Sequence, residues 1–347
     1  MERIRVIMIR LGPCGIPLSC KGRTTLDGIE DIHTLGLNAF EIQFIRVNIT
    51  DKYASDEVGM RPKEVEGGLV VEVLRTTNGK QKTMYDAKIQ KGDILRYLNC
   101  GIAKNYKELA LIGEVAKELD VKLSLHAPYY IDLADEGEVG AKSMENIKLS
   151  GILANALGAW IVVTNLGLYK EIGKSEFFEL MVGKVRKCVD IFDKMKLRSK
   201  LGIEISGKQK VFGSLDEALR LCKRVKGTVP VINFAHHHSR EYGILKKCDD
   251  FENVFDAVSK VYHGEYYTHF SGVEHEGGNE KRYTPVKRGD LRFELLAEVL
   301  VEKNPDMTII SSSPLLEHDA IYMRTILERI AIKKLAKSKK EEKINNA

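Results

Sequence analysis

The 347-residue chain has few cysteines and groups none of them for chemistry: Cys14, Cys20, Cys100, Cys188, Cys222 and Cys248 are scattered, with no CxxC pair. That spacing excludes a thiolate zinc ribbon and a disulfide-stapled secreted scaffold, and it fits a reducing, cytoplasmic setting. No signal-like segment precedes the first apolar run, IRVIMIRL, which points the same way. Apolar runs stop well short of the roughly 20 residues a membrane span needs, so no membrane role is expected. The opening RLGPCGIPLSCKGRTT is glycine-rich but contains neither a P-loop nor a GxGxxG arrangement. It reads as a shaped loop without a nucleotide cofactor. Charge of one sign is also scarce: the formal net charge is only +5, and part of that excess falls in the tail KKLAKSKKEEK. A nucleic-acid partner is therefore permitted by charge and not demanded by it.

What the chain does have is a large apolar content, 44% of residues, ample for one big core. Short β-branched runs alternate with longer stretches whose apolar residues recur at three and four. The strand candidates are IRVIMIRL, AFEIQFI, VKLSLHA, WIVVTN, KLGIEIS, VPVINFA, EYYTHFS and MTIISSS. Eight strand-then-helix units predict an α/β fold, a (β/α)8 TIM barrel spanning residues 1–47 and 98–330. Residues 48–97 break the alternation. Two alternating runs there flank Asn78-Gly79, the dipeptide suited to a type I′ hairpin, so a β-rich insertion is expected after strand two. Residues 331–347 read as a basic C-terminal tail.

In such a barrel the carboxyl ends of different strands converge on the functional face. Four ends carry ligand-type side chains: His126 in LSLHAPYY, Glu204 in LGIEIS, His236 after VINFA and His269 in YYTHFS. Imidazole together with carboxylate suits zinc, manganese or iron better than calcium or magnesium. The run HHH, residues 236–238, reads as a polar strand end. Since adjacent side chains diverge, one further member is expected to face the site, His238 in preference to His237.

These segments resemble the endonuclease IV family within the broader xylose-isomerase-like barrels. LSLHAPYYIDLA, GIEISGK, VINFAHHH and THFSG fall in that family's order. The resemblance implies a TIM barrel, bound zinc, and phosphodiester hydrolysis in DNA at abasic or otherwise damaged sites. It places metal ligands at His126, Glu204, His236 and His269, with Glu204 also catalytic. Other positions depart from the pattern: Asn165 stands where a histidine is expected, Asn233 where an aspartate is, Lys281 and Tyr283 where the Asp-x-His motif falls, and Ser311-Ser312-Ser313 where a glutamate belongs. Fewer than three ions, zinc or manganese, are therefore expected. Phosphate or substrate contacts are assigned to Arg10, Arg46, Asn165, Asn233, Lys281, Arg282 and Tyr283, with DNA as the partner. Two alternatives stay open: a sugar isomerase or epimerase of the same barrel superfamily, which Glu41 in FEIQF resembles more closely, and a non-catalytic nucleic-acid-binding homologue.

Overall fold

The computed structural model describes residues 9–345. In chain order its strands are β1 (Ile9–Pro13), β2 (Ala39–Gln43), β3 (Asn48–Tyr53), β4 (Val70–Thr77), β5 (Lys80–Met84), β6 (Ile94–Asn99), β7 (Lys122–His126), β8 (Ile161–Thr164), β9 (Lys200–Glu204), β10 (Thr228–Asn233), β11 (Tyr266–Phe270), β12 (Gly272–Glu276), β13 (Asn279–Thr284) and β14 (Met307–Ser311). The helices are α1 (Thr25–Thr34), α2 (Tyr106–Glu118), α3 (Glu138–Leu157), α4 (Lys174–Lys194), α5 (Leu215–Arg224), α6 (Phe234–Arg240), α7 (Cys248–Ser259), α8 (Phe293–Lys303) and α9 (Glu317–Asn345). Each of the eight expected barrel strands is present. Residues 4–8 of the first run lie outside the described residues.

The eight strands form one parallel sheet in the order β1-β14-β11-β10-β9-β8-β7-β2. Buried on both faces, such strands must be almost wholly apolar, which is why they stand out in the sequence. The sheet closes where β1 meets β2, through a parallel bridge between Cys14 and Glu41 and a hydrogen bond from Asn38 N to Leu11 O. Gly12 permits that closure, because a Cβ there would sit 1.6 Å from the carbonyl oxygen of Ala39. Inside the barrel, Ala39, Ile161, Val163, Val229, Val231, Tyr267 and Ile310 form their own buried cluster. Outside it the helices pack in the larger core.

The β3–β6 strands form a separate antiparallel sheet, ordered β3-β6-β4-β5, between β2 and α2. Asn78 and Gly79 both take positive φ, 52° and 73°, as a type I′ turn requires. Val65, Val70, Val73, Ile89 and Leu95 form this sheet's own small core, while Leu69, Val71 and Leu98 join the main one. Buried Glu72 ties it to the barrel, pairing with Arg96 beside it and with Lys148 of α3. At the other end of the chain, the stretch read as a basic tail continues α9 without a break as far as Asn345. Residues 346–347 lie outside the described chain. No described helix is long and apolar enough to cross a membrane.

Candidate metal centre

The carboxyl ends of β1, β2, β7, β9 and β11 surround a cavity of about 520 Å³, lined among others by Glu41, His126, Asn165, Glu204, His236, His269, Glu280 and Tyr283. His126 and Glu204 are the last residues of β7 and β9, and His269 is the penultimate residue of β11. His236 arrives differently. Asn233 ends β10 and caps α6, its side chain accepting a hydrogen bond from His236 N at 3.1 Å. The triplet is therefore the first turns of a helix and not a loop, and successive side chains rotate about 100° around its axis.

That rotation overturns the choice of His238. Only His236 of the three lines the cavity. His237 is buried, and desolvation lowers its pKa to about 4. His238 points away, toward Asp290, with Nε2 3.1 Å from Oδ1.

Hydrogen bonds distinguish the histidines by which ring nitrogen faces the cavity. His126 donates Nδ1–H to Ala127 O at 2.6 Å, leaving the Nε2 lone pair 3.2 Å from Glu204 Oε2. His236 donates Nδ1–H to Ile205 O at 2.6 Å, leaving Nε2 facing Glu280 Oε2 at 2.9 Å. His269 donates Nε2–H to Glu41 at 2.8 Å, leaving Nδ1 3.1 Å from Glu204 Oε1 with no hydrogen bond. Each ring thus has its outer nitrogen anchored and an inner lone pair aimed at a carboxylate oxygen. At His126 and His269 two acceptors face each other, so a proton or a cation is needed between them, whereas Nε2 of a neutral His236 can accept from the Tyr283 hydroxyl at 2.7 Å. Outer anchoring of this kind is what metal-ligating histidines require.

Glu41 forms the floor. It is fully buried and accepts from His269, from Tyr267 OH at 2.8 Å and from Gln43 Nε2 at 3.0 Å. Burial alone would raise its pKa, but the charge and hydrogen bond of His269 hold it below the usual carboxylate value. Burial disfavours the His269 cation, yet Glu41 and Glu204 outweigh that and push its pKa up to about 10. His126 and His236 also move upward, against their desolvation, through Glu204 and Glu280 respectively. Glu204, although buried, lies well below its ordinary value because His126 and His269 stand against it. Without a metal, the centre is held together by protons.

Glu280 is the residue that sequence reasoning missed. The β12–β13 hairpin carries a bulge: Glu274 pairs with Arg282, but His275 pairs with Glu280, so Lys281 has no partner in the ladder. The extra residue lets Glu280 and Tyr283, three apart, share the cavity side. Glu280 Oε2 is buried without a hydrogen-bond partner, and the Tyr283 hydroxyl lies 2.7 Å from His236 Nε2 and 2.8 Å from Asn233 Nδ2. A Cβ on Gly207 would come within 2.8 Å of Glu280, so a glycine is needed beneath that carboxylate. No sequence signal separates Glu280 from a solvated loop carboxylate.

Of the expected phosphate contacts, Asn165, Asn233 and Tyr283 are at the cavity or hydrogen-bonded beside it; Asn165 Oδ1 is buried and unpartnered. The others are corrected. Arg10 sits at the amino end of β1, bonding to Asp120 and Asn38 O on the opposite rim, because the strand continues past it to Pro13. Lys281 and Arg282 face solvent, paired with Glu276 and Glu274. Arg46 is exposed in the loop after β2 and does not line the cavity. Nor does any residue of the β3–β6 insertion. Glu317 accepts from Leu18 N and Ser19 N, and Asp319 from Val286 N and Ser313; both brace loops.

Among the described residues, the His/Asp/Glu set whose donor atoms all fall within 4.8 Å of one another is His238, His275 and Asp290. Its hydrogen bonds oppose a metal there: Leu245 N donates to His238 Nδ1 at 3.1 Å, so the ring proton of neutral His238 is on Nε2, the atom an ion would use. The central donors span a wider space but have the right tautomers. Glu204, His126, His269, His236 and Glu280 are of the donor types that hold a divalent ion, though set farther apart than the ligands of one closed ion.

A family profile described as Xylose isomerase-like TIM barrel matches residues 96–319. An uncharacterized protein of Methanocaldococcus jannaschii, MJ0133, is 28% identical over 243 residues, 67% of this chain and 88% of that protein. Among solved structures, endonuclease IV from Thermus thermophilus superposes with a TM-score of 0.58 at 18% identity, covering 91% of this chain and 98% of that one. An L-ribulose 3-epimerase gives 0.56 at 10% identity, covering 98% and 99%. At such identities these two structures establish the fold alone.

Proposed function

The chain belongs to the xylose isomerase-like TIM barrel family, and from that premise we propose that it is a divalent-metal-dependent phosphodiesterase acting on DNA at abasic or damaged positions. The observation that carries this is the tautomer pattern: three histidines, on β7, β11 and α6, each with its outer nitrogen tied and its inner nitrogen turned toward Glu204 or Glu280. A nitrogen-rich donor set favours zinc or manganese over magnesium. An ion held by these residues supplies positive charge at phosphorus and a more acidic water.

The remaining chemistry falls to the chain. Glu204, held well below its ordinary pKa by His126 and His269 although burial opposes this, stays anionic and is a poor base; it holds a cation. Glu280 has the unpartnered buried oxygen and is the better placed to take a proton from the attacking water. Tyr283, raised well above its usual pKa by burial and the nearby Glu280 charge, stays a neutral phenol and can donate to a phosphoryl oxygen. Lys208, at the cavity wall, adds positive charge. Tyr129 and Tyr130, 71% and 50% exposed just beyond His126, offer faces on which unpaired bases can stack.

One observation favours a second reading. Glu204 and Glu280 approach His236 at 3.9 and 2.9 Å, and two carboxylates at one centre also suit proton transfer in a ketose, so a sugar epimerase is the alternative. Metal analysis of protein prepared without chelator, with an abasic-site duplex and a panel of ketoses in heavy water, separates them. Zinc or manganese with nicking of the duplex supports the phosphodiesterase. Solvent deuterium entering a ketose while the duplex stays intact would replace it with the epimerase.

A further inference from the structure

A second cavity, of about 530 Å³, lies between the insertion and the barrel. Its walls come from the loop after β1 (Arg23, Thr24), from the insertion (Thr50, Lys52, Gly67, Gly68, Tyr97), and from Lys104 just before α2 and Glu108 in its first turn. The loops after β1 and β2 leave the carboxyl ends of their strands, so this groove opens on the face that carries the metal centre. The family profile begins at residue 96, so much of one wall is built by a segment outside the matched region.

Its lining carries three cations, Arg23, Lys52 and Lys104, against two carboxylates, Glu66 and Glu108. Among the described residues, Arg23, Lys52 and Lys104 are exposed and none has a carboxylate within 4 Å: Arg23 bonds to Pro17 O, and Lys52 lies over the Tyr97 ring at 5.4 Å. The acids of the wall are otherwise engaged. Glu66 reaches Lys107 at 3.7 Å, and Glu108 accepts from Lys104 N at 2.6 Å. Tyr97 holds its ring over Gly68, where a Cβ would sit 2.6 Å from the ring, and fixes its hydroxyl on Glu57 at 2.7 Å. Three cations without a carboxylate partner, from three separate segments beside the Tyr97 ring in a polar groove, are the chemistry that holds a phosphodiester backbone.

We propose that this groove is a second DNA-backbone site, in which Arg23, Lys52 and Lys104 hold the strand flanking the position that enters the metal centre. The proposal rests on the nucleic-acid reading above. It gives the insertion a role in gripping substrate that its absence from the metal cavity would otherwise deny.

The test combines Arg23→Gln, Lys52→Gln and Lys104→Gln in the full-length protein. A charge-matched control carries Lys187→Gln, Lys223→Gln and Lys226→Gln, all exposed, on α4, on α5 and in the turn after α5. Binding of a fluorescein-labelled duplex with one abasic analogue is followed by anisotropy between about 50 and 200 mM salt, alongside metal content and hydrolysis of bis(p-nitrophenyl) phosphate. The groove variant is expected to bind about 10- to 100-fold more weakly, with a log affinity versus log salt slope shallower by about 2 to 3, the yield of three lost phosphate contacts. Its metal content and small-ester turnover should match the parent's. Equal affinity and slope for groove and control variants overturn the groove and leave the phosphodiesterase intact. Loss of groove-dependent binding without any metal-dependent ester cleavage by the parent does the reverse.

Discussion

The barrel carries two β additions at the carboxyl ends of its strands, and the shorter one reaches the candidate metal centre. The insertion of β3 to β6 runs for residues 48–99, has its own small core and is bolted to α3 through Glu72 and Lys148, yet it contributes nothing to the central cavity. The β12–β13 hairpin, Gly272 to Thr284, has no core of its own, but one bulged residue aims Glu280 and Tyr283 inward. Proximity to a site in sequence or topology is thus not participation. What matters is whether a strand's register directs donors toward the centre, and a single unpaired residue decides that.

The contrast can be broken most severely at Glu204. Glu204→Gln removes the carboxylate that faces the inner nitrogens of both His126 and His269, and bound zinc is expected to fall at least about 100-fold in affinity, read by metal titration against a competing chelator. Retention of parental zinc affinity would remove Glu204 from the ligand set.

Next in size, Glu72→Ala should destabilise the protein by about 3 kcal/mol, because it removes a buried carboxylate from two charge-assisted hydrogen bonds, with Arg96 and Lys148, while zinc content stays unchanged. Glu280→Gln should do the opposite, lowering zinc affinity about 10- to 100-fold with little change in chemical denaturation. If the two variants shift both quantities in parallel, the two additions are not functionally distinct.

The protons that hold the metal-free centre give a pH test. The folded pKa of His269 is raised to about 10, the charges of Glu41 and Glu204 outweighing its burial. Its unfolded value is about 6.5. A raised folded pKa contributes stability that is complete below the unfolded value and disappears as pH climbs through the folded one. Chelator-treated protein should therefore lose stability between about pH 6.5 and about pH 10, and zinc uptake at a pH inside that window should release protons, measurable by calorimetry in buffers of different ionisation enthalpy. Zinc binding with no proton release would contradict the assigned protonation.

The smallest effect is expected at His238→Ala. It leaves Leu245 N without its acceptor and should cost about 1 to 3 kcal/mol with no change in metal content; a loss of bound metal would restore His238 to the ligand set.

Much of the architecture was legible because parallel strands buried on two faces must be apolar along their whole length. The eight runs from IRVIMIRL to MTIISSS therefore announce themselves. His126, Glu204 and His269 were legible for a related reason: each is a polar residue interrupting an apolar strand close to its carboxyl end. Asn78-Gly79 carried its turn in its own backbone preferences. The histidine triplet was half legible, since nothing local tells a strand end from a short helix capped by Asn233, and only the helix sends His238 away from His236. Arg10 misled because the end of β1 is set by pairing with β14 and β2, not by where the apolar run thins.

Local patterning, then, determined the class of fold, the count of strands and the chemical types gathered at their carboxyl ends, because hydrophobic burial and turn geometry act over a few neighbouring residues. Tertiary structure alone decided which nitrogen of each histidine faces the cavity, that Glu41 lies beneath His269, and that a bulge at Lys281 brings Glu280 to His236. Those outcomes depend on hydrogen bonds and register between segments as far apart as residues 41 and 269, and no periodicity within one segment encodes them.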